Sequence, residues 1–383
     1  MKPIRLLADQ HIYLLDESVP DGVELVTFDP DQGIPHLAGT HDALLVRTVS
    51  QVTKDSLPNI GSIRWVGTAS AGHDHIDIPY LASQGVAVGS AAGCNARAVA
   101  EYVLTMAIYV AQRRGWRLVG SSIGIVGTGF VGSTVTNLAR HLGLNVVTYD
   151  PPRAERDPKF ATSTLEQVLN CDILTLHTPL VRSGPWQTLG WLDRDKLFVR
   201  QRKLLIQASR GGVADESAVL EALREGYLAD AIIDVWTGEP NVNEQLLHVA
   251  AVATPHIAGY SNRAKRLATQ MAIDHMLQTF ETGSAWLPEY APRPYVSAQT
   301  AAQPVVDILL DAGNPIFPEQ LLNDFLDYDR SLRASMSSDD TASRVAAFRA
   351  LRTKLPYREE YPDTSRSDFS DTEWPILRYF REF

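Results

Sequence analysis

Cysteine is nearly absent from this chain, with Cys94 and Cys171 its only two in 383 residues. Two isolated thiols build no disulfide framework and fit no zinc motif. Long apolar runs are missing as well. The longest, residues 99–111, is interrupted by Glu101 and falls short of the roughly 20 residues that cross a bilayer. Basic charge is in deficit, with 35 Lys and Arg against 45 Asp and Glu and a formal net charge of -10. That argues against a nucleic-acid or anionic-membrane partner, since both require a basic face. A local basic pocket for a small anion is untouched by the argument. No secretory signal is evident at Met1, so a cytoplasmic location is expected. No metal is expected either. His73 and His75 alternate with Asp74 and Asp77, but no further ligand cluster accompanies them.

The length allows two or three domains with sizeable cores. Short apolar runs at residues 4–8, 43–46 and 65–68 read as buried strands of a parallel sheet. A long helix is expected from 96 to about 111. A second α/β pattern follows, with strands at 123–126, 146–150, 172–176, 203–206, 231–234 and 252–254 and a helix at 131–142. Strand and helix alternate throughout, so the fold class is α/β with two Rossmann-like, doubly wound parallel sheets. A helix at about 261–282 leads to a proline-rich boundary at 288–294. Beyond it the pattern changes to amphipathic helices near 319–329 and 341–351.

Gly127-Thr128-Gly129-Phe130-Val131-Gly132 lies between a predicted strand and a predicted helix. Gly127 permits the tight turn, Gly129 lets the backbone approach a pyrophosphate, and Gly132 allows close helix–strand packing. The helix N-terminus favours phosphate charge. Asp150 ends the next strand, where it can accept both adenosine ribose hydroxyls and repel a 2′-phosphate. NAD is therefore the expected cofactor, with Arg153 nearby as a charge that blunts the preference.

Three loops follow later strands: Ala208-Ser209-Arg210-Gly211, Asp234 to Pro240, and Pro255 to Gly259. In an open α/β sheet, ligands bind beyond the carboxyl ends of the strands. His256 suits a general base, because its ordinary pKa lies near neutrality. Arg210 suits a carboxylate, because its planar fork binds two oxygens at once. Glu239 suits the task of orienting the histidine and raising its basicity. Together with NAD, this set oxidises a 2-hydroxy acid.

The glycine motif, Arg-Gly, Asp-Val-x-x-x-Glu-Pro and Pro-His occur in that order, and the chain resembles the D-isomer-specific 2-hydroxyacid dehydrogenases over about residues 1–285. The resemblance implies the catalytic roles of Arg210, Glu239 and His256. It implies a substrate-binding domain of residues 1–93 and 257–285, with an NAD-binding domain of residues 94–256 inserted in it. It also places Thr178, Ala208, Ser209, Asp234 and Gly259 among the cofactor contacts. Gln207 departs from the asparagine usual there. Asp150-Pro151-Pro152-Arg153-Ala154 and His256-Ile257-Ala258-Gly259-Tyr260 narrow the resemblance to a branch acting on a small phosphorylated 2-hydroxy acid. That branch carries a smaller C-terminal α+β domain, here 286–383, which makes it a homodimer; residues 348–352 and 357–361 are similar to its later part. Thr48, Ser70 and Tyr260 match substrate contacts. Arg47 is added on charge alone as a phosphate ligand, an ion pair being its ordinary alternative. Two other readings stay open: a family member acting on 3-phosphoglycerate, glycerate or a plain 2-hydroxy acid, and a non-catalytic NAD-sensing module that binds protein, as the family's corepressors do.

Overall fold

The computed structural model describes residues 2–282, 319–336, 338 and 340–360. The described residues fall into two compact units. The first runs from the N-terminus to Asn95 and takes up the chain again from Ser261; the second spans Ala96–Tyr260 and includes the C-terminal helices.

The first unit holds a parallel sheet of five strands: β1 (Ile4–Asp9), β2 (Val23–Phe28), β3 (Ala43–Val46), β4 (Trp65–Thr68) and β5 (Ala87–Ser90). Their order is β2-β1-β3-β4-β5. Every residue of β3 and β4 is buried, as expected for strands covered on both faces. β2 and β5 are strands that apolar periodicity does not reveal. β2 is an edge strand with alternating exposure, and it carries Glu24. β5 is four residues of mostly small side chains. Its Gly89 makes room for aromatic neighbours, since a Cβ there would lie 2.8 Å from the Trp65 ring. The Trp65 Nε1–H donates to His275 Nδ1 at 2.9 Å, which ties the sheet to the Asn262–Thr282 helix.

The second unit holds six parallel strands: β6 (Ser122–Val126), β7 (Asn145–Tyr149), β8 (Ile173–Leu176), β9 (Arg202–Gln207), β10 (Leu228–Ile233) and β11 (Val252–Ala253). Their order is β11-β10-β9-β8-β6-β7. The chain leaves β6 toward β7 on one side and returns to β8 on the other. The gap between the carboxyl ends of β6 and β8 is therefore the switch point where an open α/β sheet takes its ligand. The Ala96–Arg114 helix lies against this sheet and is buried on nearly all sides. Tyr102, Val103, Met106 and Val110 are at most 1% exposed, and each such side chain contributes about 1.5–3 kcal/mol of burial. Glu101 is the charged residue buried on that helix. Arg358 Nη1 donates to its carboxylate at 2.8 Å and Arg97 Nε at 3.3 Å. Burial still pushes its pKa up, to about 7.

The two described C-terminal helices, Glu319–Ser335 and Thr341–Thr353, pack on this second unit. Phe325 stacks edge-on against Tyr102 with centroids 5.0 Å apart. Leu332, Met336 and Phe348 join the core between sheet and helices. β11 is an edge strand, and the first of these helices covers it: Asp329 accepts the Ala253 N–H at 2.7 Å. Most of the region expected to form an α+β dimerisation domain, residues 286–318 and 361–383, lies outside the described residues. No described helix is long and apolar enough to cross a membrane.

Candidate active site

The glycine motif leaves the carboxyl end of β6, at the switch point. Gly127 adopts a φ of +84°, where a side chain is strained. A Cβ on Gly132 would lie 1.9 Å from the Gly127 carbonyl oxygen, so only glycine lets the Phe130–His141 helix start this close to the strand. At Gly129 nothing lies within 4 Å of an added Cβ, which leaves the backbone open to a ligand. Asp150 Oδ2 accepts the Thr128 N–H at 2.7 Å and the Thr128 hydroxyl at 3.0 Å. Arg153 donates to the Thr128 carbonyl at 2.6 Å. Asp150, expected to read the ribose, thus also holds the loop in shape.

Past β8, two buried side-chain atoms have no partner among the described residues: His177 Nδ1 and Thr178 Oγ1. Thr178 lies against the glycine loop, its Cγ2 2.9 Å from where a Gly127 Cβ would stand. Burial pushes the His177 pKa down to about 3, so its ring is neutral at ordinary pH. Unpaired buried polar atoms are costly, and a bound polar ligand relieves that cost. The open backbone at Gly129, the orphaned Thr178 hydroxyl and the helix N-terminus together fit a dinucleotide.

The three loops expected to carry the chemistry leave the neighbouring strands β9, β10 and β11. Gln207, the departure from the family's asparagine, braces the first of them. Its Nε2 donates to the Arg210 carbonyl at 2.9 Å and its Oε1 accepts the Ser209 hydroxyl at 2.9 Å. The Arg210 side chain folds back to donate to the Ser209 carbonyl at 2.9 Å. A Cβ on Gly211 would lie 1.9 Å from the Trp236 carbonyl oxygen, so glycine there lets the Arg210 loop close on the Asp234–Pro240 loop.

His256 has a φ of +58°, the left-handed region that a side chain enters at a cost of about 1–3 kcal/mol. Asp234 holds it there. The Asp234 carbonyl accepts the His256 N–H at 2.7 Å. Its buried carboxylate accepts the Thr254 hydroxyl at 2.6 Å and the N–H groups of Ile257 and Ala258 at 2.8 and 3.0 Å. Asp234, expected beside the nicotinamide, organises the turn that presents His256.

Glu239 completes the constellation. Its Oε1 accepts the Trp236 N–H at 2.8 Å and its Oε2 lies 2.8 Å from His256 Nδ1. Burial opposes the charge of Glu239, but His256, the Trp236 N–H and Arg352 outweigh it and hold its pKa below the usual value. An ionised carboxylate only accepts, so His256 Nδ1 carries the proton and Nε2 is left as the basic nitrogen.

Arg352 is the member of this cluster that motif reading misses. It lies in the last turn of the Thr341–Thr353 helix, and its Nη2 donates to the Tyr260 hydroxyl at 2.9 Å. A lone arginine in an amphipathic helix carries no sequence signal for such a position. Ala208 is buried and Val131 partly buried, both packed against the core of this unit.

The remaining expected substrate residues lie in the first unit, beyond the carboxyl ends of β3 and β4. Arg47 Nε donates to the fully buried Asp9 carboxylate at 2.8 Å, so part of its charge is spent on an ion pair across that unit's own switch point, β1/β3. Thr48 is exposed beside it. The Ser70 hydroxyl donates to the Gly72 carbonyl at 2.7 Å and lies 2.8 Å from Thr68 Oγ1. His75 is buried against Thr68, and Asp77 caps the Ile78–Ser83 helix. His75 and Asp77 of that loop are thus braces, and no metal-holding group exists among the described residues.

Residues 97–258 match the NAD-binding domain of the D-isomer specific 2-hydroxyacid dehydrogenases. An erythronate-4-phosphate dehydrogenase of Pseudomonas savastanoi pv. phaseolicola is 35% identical over 93% of both chains. That of Bacteroides fragilis YCH46 is 35% identical over 72% of this chain and 80% of its own. This chain belongs to the erythronate-4-phosphate dehydrogenases, within the D-isomer-specific 2-hydroxyacid dehydrogenase family. Among solved structures, the TT0316 protein of Thermus thermophilus matches with a TM-score of 0.60 at 26% identity, covering 73% of this chain and 97% of its own. The D-lactate dehydrogenase of Aquifex aeolicus, solved with NAD and lactic acid, shares the fold with a TM-score of 0.58 at 19% identity, over 73% and 96%.

The cofactor domain is an NAD-binding domain. Asp150→Ala is expected to weaken NAD binding about 10- to 100-fold, the worth of charge-assisted hydrogen bonds. It should also narrow the preference for NAD over NADP, because the charge that repels a 2′-phosphate is gone. Titration of both dinucleotides by tryptophan fluorescence checks this; an unchanged ratio removes Asp150 as the ribose reader.

Proposed function

We propose that this chain oxidises 4-phospho-D-erythronate at C2 to (R)-3-hydroxy-2-oxo-4-phosphooxybutanoate with NAD, a step in pyridoxal 5′-phosphate biosynthesis. The observation that carries the chemistry is the 2.8 Å contact between His256 Nδ1 and Glu239, which leaves Nε2 free for the substrate hydroxyl. The full-length likeness to erythronate-4-phosphate dehydrogenases supports the substrate. Nε2 of His256 takes the C2 hydroxyl proton as the carbonyl forms. The resulting imidazolium is stabilised by Glu239, whose charge the surrounding donors already maintain. Arg210 grips the substrate carboxylate and polarises the developing carbonyl oxygen beside it. NAD, when bound, supplies the acceptor for the C2 hydride.

The NAD domain of this reading is residues 94–256 and the substrate domain residues 1–93 with 257–285. Residues 286–383 form the dimerisation region, and a monomeric mass in sedimentation equilibrium removes that part. NAD reduction with 4-phosphoerythronate, measured beside 3-phosphoglycerate and glycerate, tests the substrate. A kcat/KM at least about 10-fold higher for 4-phosphoerythronate is expected, since each group the site is built to pair discriminates strongly. Equal rates across the panel overturn the substrate. No turnover with any 2-hydroxy acid overturns catalysis and favours the protein-binding module.

A further inference from the structure

Arg352 makes no ion pair among the described residues. The other arginines of the C-terminal segment that approach the body of the second unit are spent on carboxylates: Arg333 on Asp329, Arg344 on Glu244, and Arg358 on Glu101. Arg352 makes its hydrogen bond to a neutral group, the Tyr260 hydroxyl, at 2.9 Å. Its Nε is buried with no partner among the described residues. A half-buried guanidinium with an unsatisfied edge is costly to keep unless an anion completes it. Its surroundings also define which part of the site it serves. Its Cζ lies 5.6 Å from the Tyr260 ring centroid, and the ring is braced on another side by Tyr357, edge-on at 6.0 Å. Glu239 and Asp234, the two carboxylates that orient and present His256, act on Arg352 electrostatically and help keep it charged. A cation, a fixed hydroxyl and the catalytic base thus share one cluster within a single unit. Arg210 already serves the substrate carboxylate. A phosphorylated 2-hydroxy acid has a second, doubly charged end, and Arg47 is partly neutralised by Asp9.

We infer that Arg352 and the Tyr260 hydroxyl form the subsite for the substrate phosphate, so that the C-terminal helix sets specificity for a phosphorylated substrate. Nη2 keeps the Tyr260 hydroxyl in place, and the guanidinium has further N–H donors in a fixed planar fork for the phosphate oxygens, a geometry that lysine cannot reproduce. This rests on the proposed function in one respect only, that the substrate carries a phosphate.

The test uses the full chain with Arg352→Met, Arg352→Lys and, in parallel, Arg47→Met. The ratio of kcat/KM for 4-phosphoerythronate over that for unphosphorylated erythronate should fall about 100-fold in Arg352→Met, mainly through KM. Arg352→Lys should recover part of it. Equal losses on both substrates mark Arg352 as a prop for Tyr260 and overturn the subsite. A ratio that falls in Arg47→Met and not in Arg352→Met overturns it too. Calorimetric titration with inorganic phosphate decides the matter without turnover: the wild type should bind it and Arg352→Met should not. If 4-phosphoerythronate is not oxidised while phosphate binding still depends on Arg352, the proposed substrate fails and the subsite stands. Should Arg352→Met fail to fold, a phosphate affinity unchanged in Arg352→Lys overturns it, and one weakened several-fold supports it.

Discussion

His256→Asn is expected to lower kcat by about 10³- to 10⁴-fold while NADH still binds close to wild type. Asparagine is the informative replacement because His256 sits at a φ of +58°, a conformation asparagine tolerates better than alanine does. The turn it belongs to is held through Asp234 by backbone donors, so the substitution removes the imidazole and leaves the loop in place. The neutral His177, with its pKa near 3, is no substitute. Stopped-flow NADH formation and a fluorescence titration with NADH check the two halves. A variant with kcat within about 10-fold of wild type removes His256 as the base.

Arg210→Lys is expected to lower kcat/KM by about 10²- to 10³-fold, even though the charge is kept. The Gln207 amide on the Arg210 carbonyl and the close approach of Gly211 to Trp236 set the arginine backbone rigidly. The guanidinium fork can therefore meet a carboxylate and the adjoining carbonyl oxygen together. A lysine ammonium on the same backbone is a single point with a shorter reach. The loss should fall on kcat as well as KM, because the developing oxyanion is stabilised most at the transition state. An effect confined to KM reduces Arg210 to a ground-state anchor. A variant with unchanged kcat/KM removes it from the chemistry.

Much of this architecture is readable from residue order. Ala43-Leu44-Leu45-Val46 and Ile173-Leu174-Thr175-Leu176 are continuous buried runs, and each is a strand between two others. The glycine motif announces itself because backbone approach demands glycine at fixed spacing. β2 and β5 escape such a reading because one is half exposed at an edge and the other is made of small residues whose job is to admit Trp65. The helix at Glu319–Ser335 runs beyond the residue 329 expected for it, because Leu332 continues its buried stripe into the second unit's core.

The site divides along the same line. Arg210, Glu239 and His256 are legible because each follows a strand and each is chemically suited to its task, so spacing and residue type are enough. Their mutual geometry is not. That Asp234 carries the strained turn under His256, and that Asp150 holds the glycine loop, depends on hydrogen bonds between segments whose separation in space the sequence does not encode locally. Arg352 is the extreme case. Residues 348–352 carry a likeness to a C-terminal domain, but nothing in that likeness or in the amphipathic pattern of the helix ties Arg352 to the site. Packing of that helix on the second unit brings its charge to Tyr260 and Glu239. Backbone requirements and residue chemistry are local and survive in the linear pattern, whereas the pairing of a charge with a distant site is created by packing alone.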